Sequence, residues 1–153
     1  MKIRICAVGR LRSGPERELF DDYAKRFDRL GRSHGLGPIE LVEVEAKKGL
    51  SEADALLRAL PDPGQVCALD ERGRTLTSPD FADLIARWRD QGHTTAAFVI
   101  GGADGLGDTL RARADTTVSF GSMVWPHMLA RVMLSEQLYR AASILAGAPY
   151  HRE

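Results

Sequence analysis

The chain has 153 residues, 44% hydrophobic and 27% charged, enough for one globular domain with a core of its own. Its 21 Lys and Arg balance 21 Asp and Glu, so adhesion to nucleic acid by bulk charge is excluded, although a local basic face is not. No apolar run reaches the roughly 20 residues of a membrane span, and the opening MKIRICAVG alternates as a strand does rather than as a signal peptide.

Residues 2–9 predict a first strand. Ser13 is placed to cap a helix with Pro15 in its first turn and a stripe of Leu19, Phe20, Tyr23, Ala24, Phe27 and Leu30. Gly31 and the run Gly35-Leu36-Gly37-Pro38 stop it. Residues 39–45 (IELVEVE) alternate as a half-exposed strand. Ser51 to Leu60 is a short helix, and Ser51 with Asp54 resembles a capping box. Residues 65–70 (QVCALD) form a short central strand. Ser78-Pro79 opens a helix with Phe81, Leu84, Ile85 and Trp88 on one face, closed by Gly92. Residues 95–100 (TAAFVI) form a buried strand, Leu106 to Ala114 a short helix and 115–120 a last strand. His127 to Ala146 is a long final helix, stopped by Gly147. The rhythm predicts a single α/β domain over 1–153, with a mostly parallel sheet and helices on both faces. The two cysteines fall within strands and read as buried free thiols.

Ligands of such sheets bind beyond the carboxyl ends of strands, which directs attention to Leu69-Asp70, Gly101-Gly102 and Phe120-Gly121. Gly101 to Gly105 (GGADG) matches neither phosphate-loop pattern, and Asp104 would repel a phosphate; a neutral or cationic ligand suits it better, as does a plain tight turn. In Phe120 to His127, Met123, Val124 and Trp125 are apolar where a loop is usually polar, so they either pack beneath it or line a pocket for a flat ring. His127 stands at the start of the final helix. That helix is apolar on more than one side, as in a helix sandwiched within its fold or between subunits. Arg131 and Tyr139 are read as facing outward to a substrate, and Glu136 and Arg140 as an i, i+4 pair. Pro149 stiffens a tail in which Tyr150, His151 and Arg152 can stack on bases or contact phosphates, and such a tail can complete the pocket of a second subunit. Arg10, Arg12, Arg111, Arg113, Arg131, Arg140 and Arg152 would make a basic face if the fold gathered them.

The runs FVIGGADGL, SFGSMVWPH, RVMLSEQLYRA and PYHRE, with LDERG in the middle, resemble the RlmH type of bacterial ribosomal RNA methyltransferase, within the SPOUT class. The resemblance covers essentially the whole chain. Gly121 and Val124 depart from it, standing where relatives often carry Ser and Thr. The resemblance implies a C-terminal trefoil knot and a cytoplasmic homodimer acting on the assembled ribosome. It implies S-adenosylmethionine held by Leu69, Gly101 and the run Phe120, Gly121, Ser122, Met123, Val124 and Trp125. The implied reaction is methylation of N3 of a pseudouridine in helix 69 of 23S ribosomal RNA, with no metal and no membrane involved. By residue type, His127, Arg131 and His151 are catalytic candidates. Tyr139, Arg140, Tyr150 and Arg152 are candidates for the RNA. Two rivals remain at this point: a nucleotide- or flavin-binding domain, and a non-catalytic ribosome-binding module.

Overall fold

The computed structural model describes residues 1–152. Among them, β1 (Lys2–Val8), β2 (Ile39–Val44), β3 (Gln65–Thr75), β4 (Thr95–Ile100) and β5 (Thr116–Ser119) form one parallel sheet in the order β2–β1–β4–β3–β5. The helices are α1 (Pro15–Gly31), α2 (Glu52–Ala59), α3 (Ser78–Asp90), α4 (Asp108–Arg113) and α5 (His127–Leu145). Ile3, Ile5 and Ala7 of β1 point to the side of α1, α3 and α5, while Cys6 points to the side of α2 and α4. Both faces of the sheet are therefore covered, and the middle strands read as continuous apolar runs, as parallel strands do. The thiols of Cys6 and Cys67 are buried, and burial pushes each up to about 12.

Local chemistry fixes most boundaries. Ser51 Oγ accepts from the Asp54 amide at 3.1 Å, which caps α2 as expected. Ser78-Pro79 opens α3 as expected, and Thr77 caps it, its hydroxyl accepting from the Asp80 amide at 3.2 Å. Ser13 caps nothing; α1 starts at Pro15 behind Gly14 with no side-chain cap. Leu19, assigned to the apolar stripe, is 46% exposed because Phe20 and Phe27 take the buried side of α1. The apolar excess of α5 is used mostly inside the chain, since the helix packs between α1 and α3.

β3 differs most from expectation. It does not end at Asp70 but continues to Thr75, with both Leu69 and Arg74 opposite Val118 of β5. The residues between them bulge out of the pairing. Gly73 makes the return possible: a Cβ there would lie 2.7 Å from the backbone of Thr117 and Val118.

Candidate functional site

The carboxyl ends of β3, β4 and β5 enclose a cavity of about 370 Å³. Leu69, Gly101, Phe120, Gly121, Met123, Val124 and Trp125, all singled out from sequence, line it, and His127 joins them. Ser122 does not; it is exposed between them. Met123 and Val124 are 74% and 89% exposed, so they wall the open side rather than pack beneath the loop. Gly121 has φ +110°, a conformation that favours glycine, which is a local reason for glycine at this position. The Gly101 to Gly105 segment closes on itself as a turn, with the Gly105 amide donating to Gly102 O at 3.0 Å. A Cβ on Gly101 would meet the Gly105 backbone at 2.8 Å, so glycine is needed there by the turn itself.

Two carboxylates reach this cavity: Asp70, which the sequence marks as a strand end, and Glu71, which it does not single out. The β3 bulge turns Asp70 and Glu71 into its lining, whereas Asp104 lies outside it and is exposed. Asp70 accepts from the Arg72 amide at 2.9 Å and from Arg111 Nε at 3.0 Å. Burial acts to raise its carboxyl, but these donors outweigh burial and hold it below the usual carboxylate range. A third carboxylate supports the turn from behind. Glu52, in the first turn of α2, has Oε2 buried without a hydrogen-bond partner among the described residues, and this oxygen would be 2.5 Å from a Cβ on Gly102. LDERG carried a signal for Asp70; nothing in the sequence ties Glu52 to Gly102.

Arg131 does not face outward. It is 2% exposed, and its guanidinium donates to Val8 O, to Gly9 O at 2.9 Å and to Glu43 Oε2 at 3.2 Å. The same Glu43 oxygen accepts from the Leu11 amide. The correction has a physical cause: the ends of two parallel strands expose carbonyls and a carboxylate to one buried cation, which desolvation would otherwise penalise. The fold does not gather all seven arginines named above into one face. Arg111 pairs with Asp70 at 3.0 Å, Arg113 with Asp115 at 3.6 Å and Arg140 with Glu136 at 2.7 Å. No group of three or more His, Cys, Asp or Glu able to hold a metal occurs among the described residues, and no helix is long and apolar enough to cross a membrane.

Residues 1–151 match the family model described as predicted SPOUT methyltransferase. The chain belongs to this family. It is 63% identical over 155 residues to the ribosomal RNA large subunit methyltransferase H of Dinoroseobacter shibae and 64% identical over 155 residues to that of Ruegeria pomeroyi, covering 99% of each chain in both cases. Among solved structures, it resembles a probable methyltransferase from Bordetella pertussis, at TM-score 0.52 and 20% identity over 92% of this chain and 95% of the other. A probable methylase family protein from Haemophilus influenzae gives TM-score 0.54 at 15% identity, over 99% and 70%. These two likenesses show the fold.

In this SPOUT chain the tail residues form a second cluster, outside the cavity. Tyr150 donates to Glu136 Oε1 at 2.8 Å, and Arg140 donates to the same oxygen at 2.7 and 3.1 Å. Arg140 lies 4.7 Å from the Tyr150 ring centre and 3.3 Å from His151 Nδ1. The Tyr139 and Tyr150 rings meet tilted at 59° with centres 4.6 Å apart, and Arg152 is exposed. The tail is thus docked on its own α5, and none of Tyr139, Arg140, Tyr150, His151 or Arg152 lines the Leu69–Gly101–Phe120 cavity of the same chain. Between the two sites runs an apolar groove of about 430 Å³ along α1 and α5, lined by Leu19, Tyr23, Val132, Met133 and Glu136, and sharing Ser119 and Phe120 with the cavity.

Proposed function

We propose that this chain is an S-adenosylmethionine-dependent methyltransferase of large-subunit ribosomal RNA, and that it works in the cytoplasm as a homodimer on the assembled ribosome. Its target is N3 of a pseudouridine in helix 69, and the family's trefoil knot is part of the same reading. What supports it above all is the near full-length identity to ribosomal RNA large subunit methyltransferases H, combined with a cavity at the strand ends where the matching motifs fall.

The residues present fit S-adenosylmethionine. Met123, Trp125 and Phe120 offer apolar surface to an adenine, the turn at Gly101 and the loop at Gly121 leave backbone groups open, and Glu71, in no ion pair among the described residues, suits a cationic ligand. Bound S-adenosylmethionine supplies a methyl group made electrophilic by its sulfonium, so the protein's task is orientation, exclusion of water and removal of a proton. The apolar loop residues exclude water. His127 lines the cavity; in this reading its imidazole accepts the proton from the attacking ring nitrogen. The α1–α5 groove, with exposed Leu19, Met128 and Leu129 around it, is the surface on which a second protomer sits. In the dimer, Tyr150, His151 and Arg152 of each tail act at the partner's cavity.

The test is transfer of labelled methyl from S-adenosylmethionine to intact ribosomes from cells lacking this gene, with free ribosomal RNA and separated subunits alongside. Label in large-subunit RNA, only from assembled ribosomes, is expected. No transfer from a protein that binds the cofactor overturns the substrate assignment. Absence of stabilisation by S-adenosylmethionine or S-adenosylhomocysteine overturns the cofactor as well, since a ligand at a hundred times its Kd adds about 2.7 kcal/mol.

A further inference from the structure

The cavity opens at the carboxyl edge of a parallel sheet, and two other loops leave that same edge. Residues 9–14 follow β1, which lies next to β4, and residues 45–51 follow β2, which lies next to β1. Together these loops carry Arg10, Arg12, Lys47 and Lys48 against a single carboxylate, Glu45. All four cations are exposed, and none is in an ion pair among the described residues. This sets them apart from Arg111, Arg113, Arg131 and Arg140, each of which has a carboxylate partner.

The loops are also held in place. Leu11 is 2% exposed, so it anchors the first loop while its neighbours Arg10 and Arg12 stand out into solvent. The Gly9 amide donates to Val44 O at 2.8 Å, which joins the two loops at their roots. Lys47 and Leu50 exchange two backbone hydrogen bonds of 2.9 Å, so the second pair of cations sits on a closed turn. Beneath both, Arg131 bonds the carbonyls of Val8 and Gly9 and the carboxylate of Glu43. The Glu43 carboxylate at the end of β2 is therefore turned inward and compensated, which leaves Glu45 as the one exposed acid beside four exposed cations. Four exposed, unpaired cations thus share the edge where the cavity opens.

We infer that Arg10, Arg12, Lys47 and Lys48 form a phosphate-binding edge that holds the RNA backbone while one base enters the cavity. This rests on the proposed RNA substrate and adds to it the residues that grip the strand. Phosphates fit better than an acidic protein surface, because a target base in the cavity puts its own backbone at this rim, and contacts to phosphate position a nucleic acid without reading its sequence. Such contacts raise KM when lost and leave the cofactor cavity untouched.

The experiment compares the full-length protein with the variants R10Q/R12Q/K47Q/K48Q and K47Q/K48Q, measuring binding to large-subunit ribosomal RNA over a salt series and methyl transfer to ribosomes. Binding of S-adenosylhomocysteine serves as the folding control. The fourfold variant should keep its cofactor affinity, bind RNA at least ~10-fold more weakly at physiological salt, and show a log affinity–log salt slope shallower by about 3. Its KM for ribosomes should rise with kcat preserved, and the double variant should fall between. RNA affinity and salt slope equal to wild type in both variants overturn the inference. Salt-dependent RNA binding that the substitutions weaken, without methyl transfer by the wild type, would sink the enzymatic reading and leave the edge standing.

Discussion

Arg131 on α5 and Glu43 at the end of β2 meet at 3.2 Å beneath the loop that follows β1, with the arginine 2% exposed. Burial depresses the guanidinium, and Glu43 partly offsets this. Removing one partner leaves the other charge desolvated without compensation. Glu43→Gln should therefore lower the unfolding free energy by about 3 kcal/mol, and Arg131→Met, which also strips the Val8 and Gly9 carbonyls, by at least as much. In a urea denaturation cycle the double variant should lose less than the two single losses added. Strict additivity would mean that the pair contributes no coupling.

Gly102 supplies a steric test of the cavity. A methyl group there would lie 2.5 Å from Glu52 Oε2, a buried oxygen with no hydrogen-bond partner among the described residues. Gly102→Ala should weaken binding of S-adenosylhomocysteine at least ~10-fold, because a displaced turn loses its ligand-facing geometry at about 1.4 kcal/mol per decade. Glu52→Ala in the same chain should restore much of it by vacating the space. If affinity stays low in the double variant, the methyl group obstructs the ligand directly and Glu52 is incidental. Titration calorimetry distinguishes the two.

How far the sequence foretold this site depends on the range of each interaction. The cavity loops were legible because glycines and misplaced apolar residues announce them within a few positions, as at Gly101, Met123 and Trp125. The order of elements was legible because apolar periodicity is local. Arg131 was not, since its partner Glu43 is 88 residues away and a lone arginine in a helix looks solvated. Asp70 to Gly73 read as the end of a strand because three charged residues and a glycine resemble a loop; only pairing with Val118 shows that the strand resumes. The tail's bond to Glu136 joins a terminus to a helix 14 residues earlier, and termini are ordinarily loose.

Asp70 predicts a pH dependence of known sign. Its carboxyl sits below the usual range because the Arg72 amide and the Arg111 guanidinium outweigh the effect of burial. A depressed folded value contributes stability that is complete above the unfolded value of about 4 and disappears as pH falls through the folded value. Asp70→Asn should therefore be less stable than wild type at pH 6, with the gap closing as pH drops below about 4. Thermal unfolding across that window measures it. A gap that widens in acid would show that Asp70 is not stabilised as a carboxylate.

The tail separates chemistry from cofactor binding. Tyr150 is tied to Glu136 at 2.8 Å, and Arg140 holds the same carboxylate oxygen while covering the Tyr150 ring. Burial and the Glu136 carboxylate push the Tyr150 phenol upward, so it remains a donor at any ordinary pH. Its loss in Tyr150→Phe should cost about 1–2 kcal/mol of tail anchoring, since the acceptor is charged. The tail lines none of the Leu69–Gly101–Phe120 cavity in its own chain. Tyr150→Phe, and more strongly removal of residues 150–153, should thus slow methyl transfer at least tenfold while changing S-adenosylhomocysteine affinity less than twofold. Mixing the tail deletion with a cavity-dead Gly101→Val protein carries the argument one step further. If each tail serves its partner's cavity, mixed dimers regain activity, because one intact cavity then meets one intact tail. If each tail serves its own cavity, the deletion protomer lacks its tail and the Gly101→Val protomer lacks its cavity, so the mixture stays inactive.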